Sequence, residues 1–110
     1  MEYLSNDFIK FEVKNISEGL TLVYFELSRE LEPEDLRKIS PPDPVKSKFS
    51  SNVVVISGRG PIWLYGFLIH FYHPTSALAI FDPRLGGAVV VESHNNKFKV
   101  GDFIKLEGEV

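Results

Sequence analysis

The chain has 110 residues, 44% hydrophobic and 25% charged, with a net charge of -3 and no cysteine. That length supports one domain with a real core but not two. The lack of cysteine excludes disulfides and thiolate metal sites, and 12 basic against 15 acidic side chains argue against a duplex-coating protein, whose affinity comes from counterion release at a basic surface. The most apolar segment, residues 62–72, is interrupted by His70 and is too short to span a bilayer. The N-terminal MEYLSNDF has neither the basic start nor the apolar run of a signal peptide. A cytoplasmic protein with no membrane partner and no duplex DNA partner is expected, formed as one α/β domain over residues 1–110.

Residues 8–13 alternate apolar and polar, which predicts a strand with one wet face, and residues 15–19 form a turn candidate. Residues 20–27 are rich in Leu, Val, Tyr and Phe and pair with the first strand as a hairpin. Residues 33–39 read as a short helix: Pro33 suits its first position, and acidic Glu34 and Asp35 precede basic Arg37 and Lys38, as the helix dipole favours. Residues 40–51, SPPDPVKSKFSS, predict a mobile surface loop, because proline cannot donate to a helix or a central strand.

Residues 53–56 are β-branched without alternation, the mark of a strand covered on both faces in a parallel sheet. Residues 77–81 form the next such run, and residues 61–72 between them predict a helix. This βαβ unit turns through residues 82–87 into an antiparallel return strand at 88–92, and residues 103–107 make a final strand. The expected order is ββαβαβββ: a small α/β, Rossmann-like domain with a mixed sheet. The helix is apolar nearly all round, with Ile62, Trp63, Leu64, Phe67, Leu68, Ile69 and Phe71. Such helices are buried on more than one side, and a homodimer covering the outer face is the economical explanation.

Chemistry concentrates in residues 52–94. Ser57-Gly58-Arg59-Gly60-Pro61 joins a buried strand to a helix, where unpaired N–H groups and the dipole favour phosphate. Gly58 and Gly60 permit close approach, Ser57 adds a hydroxyl and Arg59 a planar fork. The stretch is neither a Walker loop nor a GxGxxG fingerprint nor a GxSxG elbow. A tight turn with nothing bound is an equally good reading. His70 and His73, three residues apart at the helix end, can ligate metal or simply suit the negative dipole end. The bland reading is preferred for the pair; His73, beside Pro74, is the better candidate for proton transfer. Asp82-Pro83-Arg84 resembles a turn with Asp first and Pro second, which leaves Arg84 unexplained. Glu92-Ser93-His94 reads equally well as a solvated strand end.

The segments ISGRGPIWL, HFYHPT and FDPRLGG-AVVV with the final SH together resemble the small stand-alone CRISPR-associated ring nucleases of type III systems, a family also described as manganese-dependent RNA deadenylases. Relative to the family pattern this chain carries an extra glycine in Leu85-Gly86-Gly87 and a proline after His73. The resemblance implies a homodimer related to CRISPR-associated Rossmann domains. It also implies binding and cleavage of a cyclic oligoadenylate, cyclic tetra-adenylate first among them, with oligo(A) RNA as the alternative substrate and a non-catalytic sensor as another reading. On this resemblance Ser57, Gly58, Arg59 and Gly60 bind the ligand, His73, Asp82 and Arg84 are catalytic, and His94 is an accessory ligand contact. Manganese is the implied cofactor, with Asp82 the strongest carboxylate candidate to hold it.

Strand direction predicts where these residues lie. Ser57, Arg59, Asp82 and Arg84 follow parallel strands and should share the carboxyl edge of the sheet, where open α/β sheets bind ligands. His73, Glu92 and His94 should fall on the far edge, a helix length of roughly 18 Å away. Within one subunit His73 could not then serve a ligand held by Arg59; either the far-edge histidines have no catalytic part or, as is expected here, a dimer of dimers around the ligand shares the site.

Overall fold

The computed structural model describes residues 7–106. Its elements are β1 (Ile9–Ser17), β2 (Leu20–Leu27), a 3-10 helix (Pro33–Lys38), β3 (Val53–Gly58), α1 (Ile62–Phe71), β4 (Ala77–Asp82), β5 (Gly87–Ser93) and β6 (Phe103–Lys105). They form an α/β domain with one mixed six-stranded sheet in the order β1-β2-β3-β4-β5-β6. β2, β3 and β4 are parallel to one another; β1, β5 and β6 pair antiparallel with their neighbours. The Rossmann-like expectation went further than this sheet does: strand order is sequential throughout, and only β3 and β4 are joined by an α-helix.

β3 is the centre of the core because its unbroken apolar run can be covered on both faces. On one face Val54 and Ile56 pack with Phe25, Leu78 and the inward residues of α1, Leu64 and Leu68. On the other face Val55 packs with Leu22, Ala79, Ala88, Val90 and Leu106. Alternation along each strand therefore assigns every side chain to one of two layers.

Four expectations need correction. The residue 33–39 helix is a 3-10 turn of six residues, too short for the cooperative α-helical ladder. Asp35 is held there by more than the dipole: its carboxylate accepts from the backbone N–H of Glu32 at 2.8 Å and from Arg29 at 2.8 and 3.3 Å. The proline-rich connector is not a free loop. Pro41, Pro42, Pro44 and Phe49 are buried, and the Tyr72 hydroxyl donates to the Pro42 carbonyl at 2.7 Å, so the loop packs over the end of α1. The long helix starts one residue later than expected, with Pro61 as its extended N-cap; within one chain it buries one side and leaves open the outer face that the expected homodimer would cover. Leu64 and Leu68 are fully buried, whereas Ile62 is 89% and Trp63 39% exposed, because a single helix laid on a sheet has one face to give. The last strand ends at Lys105; Glu107, its expected end, lies outside the described residues. No helix among the described residues is long and apolar enough to cross a membrane.

Candidate functional site

Parallel pairing brings the carboxyl ends of β2, β3 and β4 to one edge of the sheet. Tyr24 of β2 lies opposite Ser57 of β3. The β3–β4 register pairs Ile56 with Ile80, so the next residues, Ser57 and Phe81, are also neighbours. Here an open cleft of about 580 Å³ is lined by Tyr24, Glu26, Ser57, Arg59, Phe81 and Pro83, among others. α1 begins just beyond it at Ile62, turning unpaired helix N–H groups toward this edge.

Ser57 is 5% exposed, and its hydroxyl has no hydrogen-bond partner among the described residues. Buried hydroxyls are nearly always bonded to protein or water, so this one, lining an open cleft, is placed to bond a polar group that enters it. Arg59 is exposed and likewise has no ion pair among the described residues. Its guanidinium is available for an anion.

The two glycines of this turn are explained by packing. A Cβ on Gly58 would lie 2.5 Å from the Phe25 carbonyl oxygen, and one on Gly60 would lie 2.9 Å from the Phe25 ring. The Tyr65 hydroxyl donates to the Gly58 carbonyl from α1. The glycines let the turn close over Phe25, and that closure sets where Ser57 and Arg59 stand.

Asp82 and Arg84 share the carboxyl edge but are occupied with each other. The Asp82 carboxylate accepts the Arg84 backbone N–H at 2.9 Å and its guanidinium at 3.3 Å. Those bonds hold the Asp82 carboxyl below its usual range. Arg84 remains 87% exposed, so one carboxylate contact leaves most of its donor fork free. Gly87 has a structural use: β6 runs so close that a Cβ there would lie 2.3 Å from the Ile104 carbonyl oxygen.

The opposite edge holds a second cluster. β5 runs antiparallel to β4, with Ser93 opposite Ala77 and Glu92 opposite Leu78, so Glu92 and His94 end beside the loop that carries His73. His73 Nδ1 lies 2.6 Å and His94 Nε2 3.3 Å from the same Glu92 oxygen, and the two imidazoles meet edge to face at 5.1 Å. The backbone N–H of His94 donates to the Ser76 carbonyl at 2.9 Å, which fixes the strand end against the His73 loop. The donor atoms of His73, Glu92 and His94 lie within 4.8 Å of one another. They form the one such group of three or more among the described residues. His70 and Asp82 are outside it.

The structure therefore separates the sequence-derived candidates into two sets. Ser57, Gly58, Arg59, Gly60, Asp82 and Arg84 stand at the carboxyl edge; His73 and His94 stand at the far edge with Glu92. The six residues of β4 put about 17 Å between them. Tyr24 and Phe81, which line the cleft, were not singled out from sequence. Finding Tyr24 needed the parallel pairing of β2 with β3 across a long connection, which no local pattern encodes. Phe81 looked like one more core residue of its strand.

Residues 24–105 match the family described as CRISPR-associated protein (Cas_csx3). The chain belongs to that family. An uncharacterized protein of Aquifex aeolicus (strain VF5) is 62% identical over 103 residues, which cover 94% of this chain and 93% of its own length. The Cas_csx3 match runs from Tyr24 to Lys105 and so takes in both edges of the sheet, the cleft and the His73–Glu92–His94 cluster alike.

Proposed function

We propose that this Cas_csx3 chain binds and cleaves cyclic oligoadenylate, with one molecule gripping the ring and another supplying the proton-transfer group. The supporting observation is the separation of the two edges. An orphan hydroxyl and an uncommitted guanidinium stand at one edge, and an imidazole–carboxylate pair stands about 17 Å away at the other. A general base must lie within hydrogen-bond reach of its proton, so one subunit cannot bring both to one phosphodiester. The exposed α1 face of Ile62 and Trp63 offers the surface for a homodimer. Two such dimers around a ring would set the carboxyl edge of one against the far edge of the other.

In this reading Ser57 and Arg59 hold ribose and phosphate. The ribose 2′-hydroxyl oxygen attacks the adjacent phosphorus, and the bond to the 5′-oxygen breaks. His73, oriented by Glu92, takes the 2′ proton and, as the imidazolium, returns it to the departing 5′-oxygen. Arg59 and Arg84 balance the charge gathered on the phosphoryl oxygens. The products are linear oligonucleotides ending in a 2′,3′-cyclic phosphate.

The donor set at the far edge fits the implied manganese: two imidazoles and a carboxylate suit that ion and leave coordination positions open. His73, Glu92 and His94 would hold it, in place of Asp82, whose carboxylate is engaged by Arg84; with the ion bound His73 would be a ligand rather than the base, and the 2′ proton would pass to solvent. Bound there, the ion would supply Lewis-acid stabilisation of phosphate charge. The exposure of this cluster, with His73 59% and His94 50% exposed, also favours a second reading, in which it trims 3′ adenosines from RNA.

Incubating the protein with cyclic tetra-adenylate and with linear oligo(A), each with manganese or with chelator, tests these readings. Faster loss of the ring than of the linear strand is expected. Preferential shortening of the linear strand would favour the exoribonuclease, and ring binding without turnover would make the protein a sensor.

A further inference from the structure

The cleft at the carboxyl edge has walls that phosphate binding does not require. Tyr24, Ser57 and Phe81 stand side by side on three adjacent parallel strands. Tyr24 and Phe81 pack on the same layer as Leu22, Val55 and Ala79, and Ser57, two residues after Val55, faces that way too. The row therefore reads ring, hydroxyl, ring. Two strand spacings, about 10 Å, separate the backbones that carry the rings, and the serine between them is too small to fill the gap. Both rings are only partly buried and open into the 580 Å³ cleft. The floor is the buried Ser57 hydroxyl without a partner. Aromatic sides with a polar floor suit a flat ligand that is apolar on its faces and polar at its edge.

We propose that this slot takes an adenine base of the nucleotide ligand. The base lies between the Tyr24 and Phe81 rings and turns a polar edge to the Ser57 hydroxyl, while Arg59 at the mouth meets the attached phosphate. Tyr24 and Phe81 are then the residues that read the base, and Arg59 the one that reads the backbone. The inference rests on the adenylate-binding reading above, and its test keeps the two apart.

The test combines calorimetric binding of cyclic tetra-adenylate with proton NMR of adenosine 5′-monophosphate and ribose 5-phosphate. Wild type is compared with Tyr24→Leu, Phe81→Leu and Tyr24→Phe. Stacking on a protein ring contributes roughly 5- to 150-fold in affinity per base. Each leucine variant should therefore weaken ring binding by about that factor, and Tyr24→Phe should bind nearly as wild type does. In the wild type, adenine H2 and H8 of the monophosphate should shift upfield on binding, and ribose 5-phosphate should leave the Tyr24 and Phe81 resonances unmoved. The wild-type shifts need no variant to fold. Unchanged ring affinity in both leucine variants would overturn the slot while leaving ring binding intact. If wild type binds no ring, the adenylate reading fails, and the slot stands or falls on whether the monophosphate shifts Tyr24 and Phe81.

Discussion

At the residue scale the Asp82–Arg84 pair shows how one turn serves structure and charge together. Asp82 closes the turn by accepting two backbone N–H groups, from Leu85 and Gly86, at its carbonyl and one, from Arg84, at its carboxylate. The Arg84 guanidinium beside it is the main cause of its lowered pKa, followed by the Arg84 N–H. A carboxyl whose folded pKa lies below its unfolded value adds stability that is complete above the ordinary carboxylate range and is lost as pH falls through the lowered value. Replacing Arg84 by alanine should move the Asp82 titration back up toward the ordinary range, as followed by carboxyl-carbon NMR. An unmoved titration would mean that the side-chain contact does not persist in solution. Arg84 is 87% exposed and solvent screens the pair, so the effect on global stability is expected to be small.

At the element scale the seam between α1 and the proline-rich loop carries the clearest prediction. The Tyr72 ring is fully buried, its hydroxyl donates to the Pro42 carbonyl, and burial raises its pKa well above the usual tyrosine value. Tyr72→Phe leaves the ring in place and strips a buried carbonyl of its donor, which costs about 1–3 kcal/mol. Urea denaturation should show that loss; a change below about 0.5 kcal/mol would mean that the loop does not depend on this bond. This seam was also the hardest part of the fold to read. A run of prolines and serines excludes regular structure, but nothing local says that Phe49 and Pro44 will find the core. The strands were plainer. The unbroken β-branched run at Val53–Ile56, the alternation near Phe11 and Val13, and the short Asp82–Gly87 connection each carry their own period or turn chemistry. Direction followed from connection length, so the two poles could be placed. The unreadable part was lateral: which residue of β2 lies beside Ser57 depends on a pairing across 25 or more residues of chain.

At the scale of the whole molecule, the sheet keeps two chemistries apart. The carboxyl edge carries an exposed guanidinium and the orphan hydroxyl; the far edge carries imidazoles and a carboxylate at metal-ligand separation. The strands between them are the most deeply buried part of the chain, so no modest rearrangement can bring Arg59 to His73. The outer face of α1 leaves Ile62 and Trp63 exposed in a single chain. A stable dimer would cover Ile62 and Trp63, which a lone protomer leaves open.

The most direct test mixes two inactive proteins. His73→Ala retains the gripping edge and Arg59→Ala retains the imidazole edge. Each alone should fail to cleave cyclic tetra-adenylate, and the mixture should recover a substantial part of wild-type cleavage, lost again on dilution. A mixture as inactive as its two components would contradict a site built from opposite edges of different molecules.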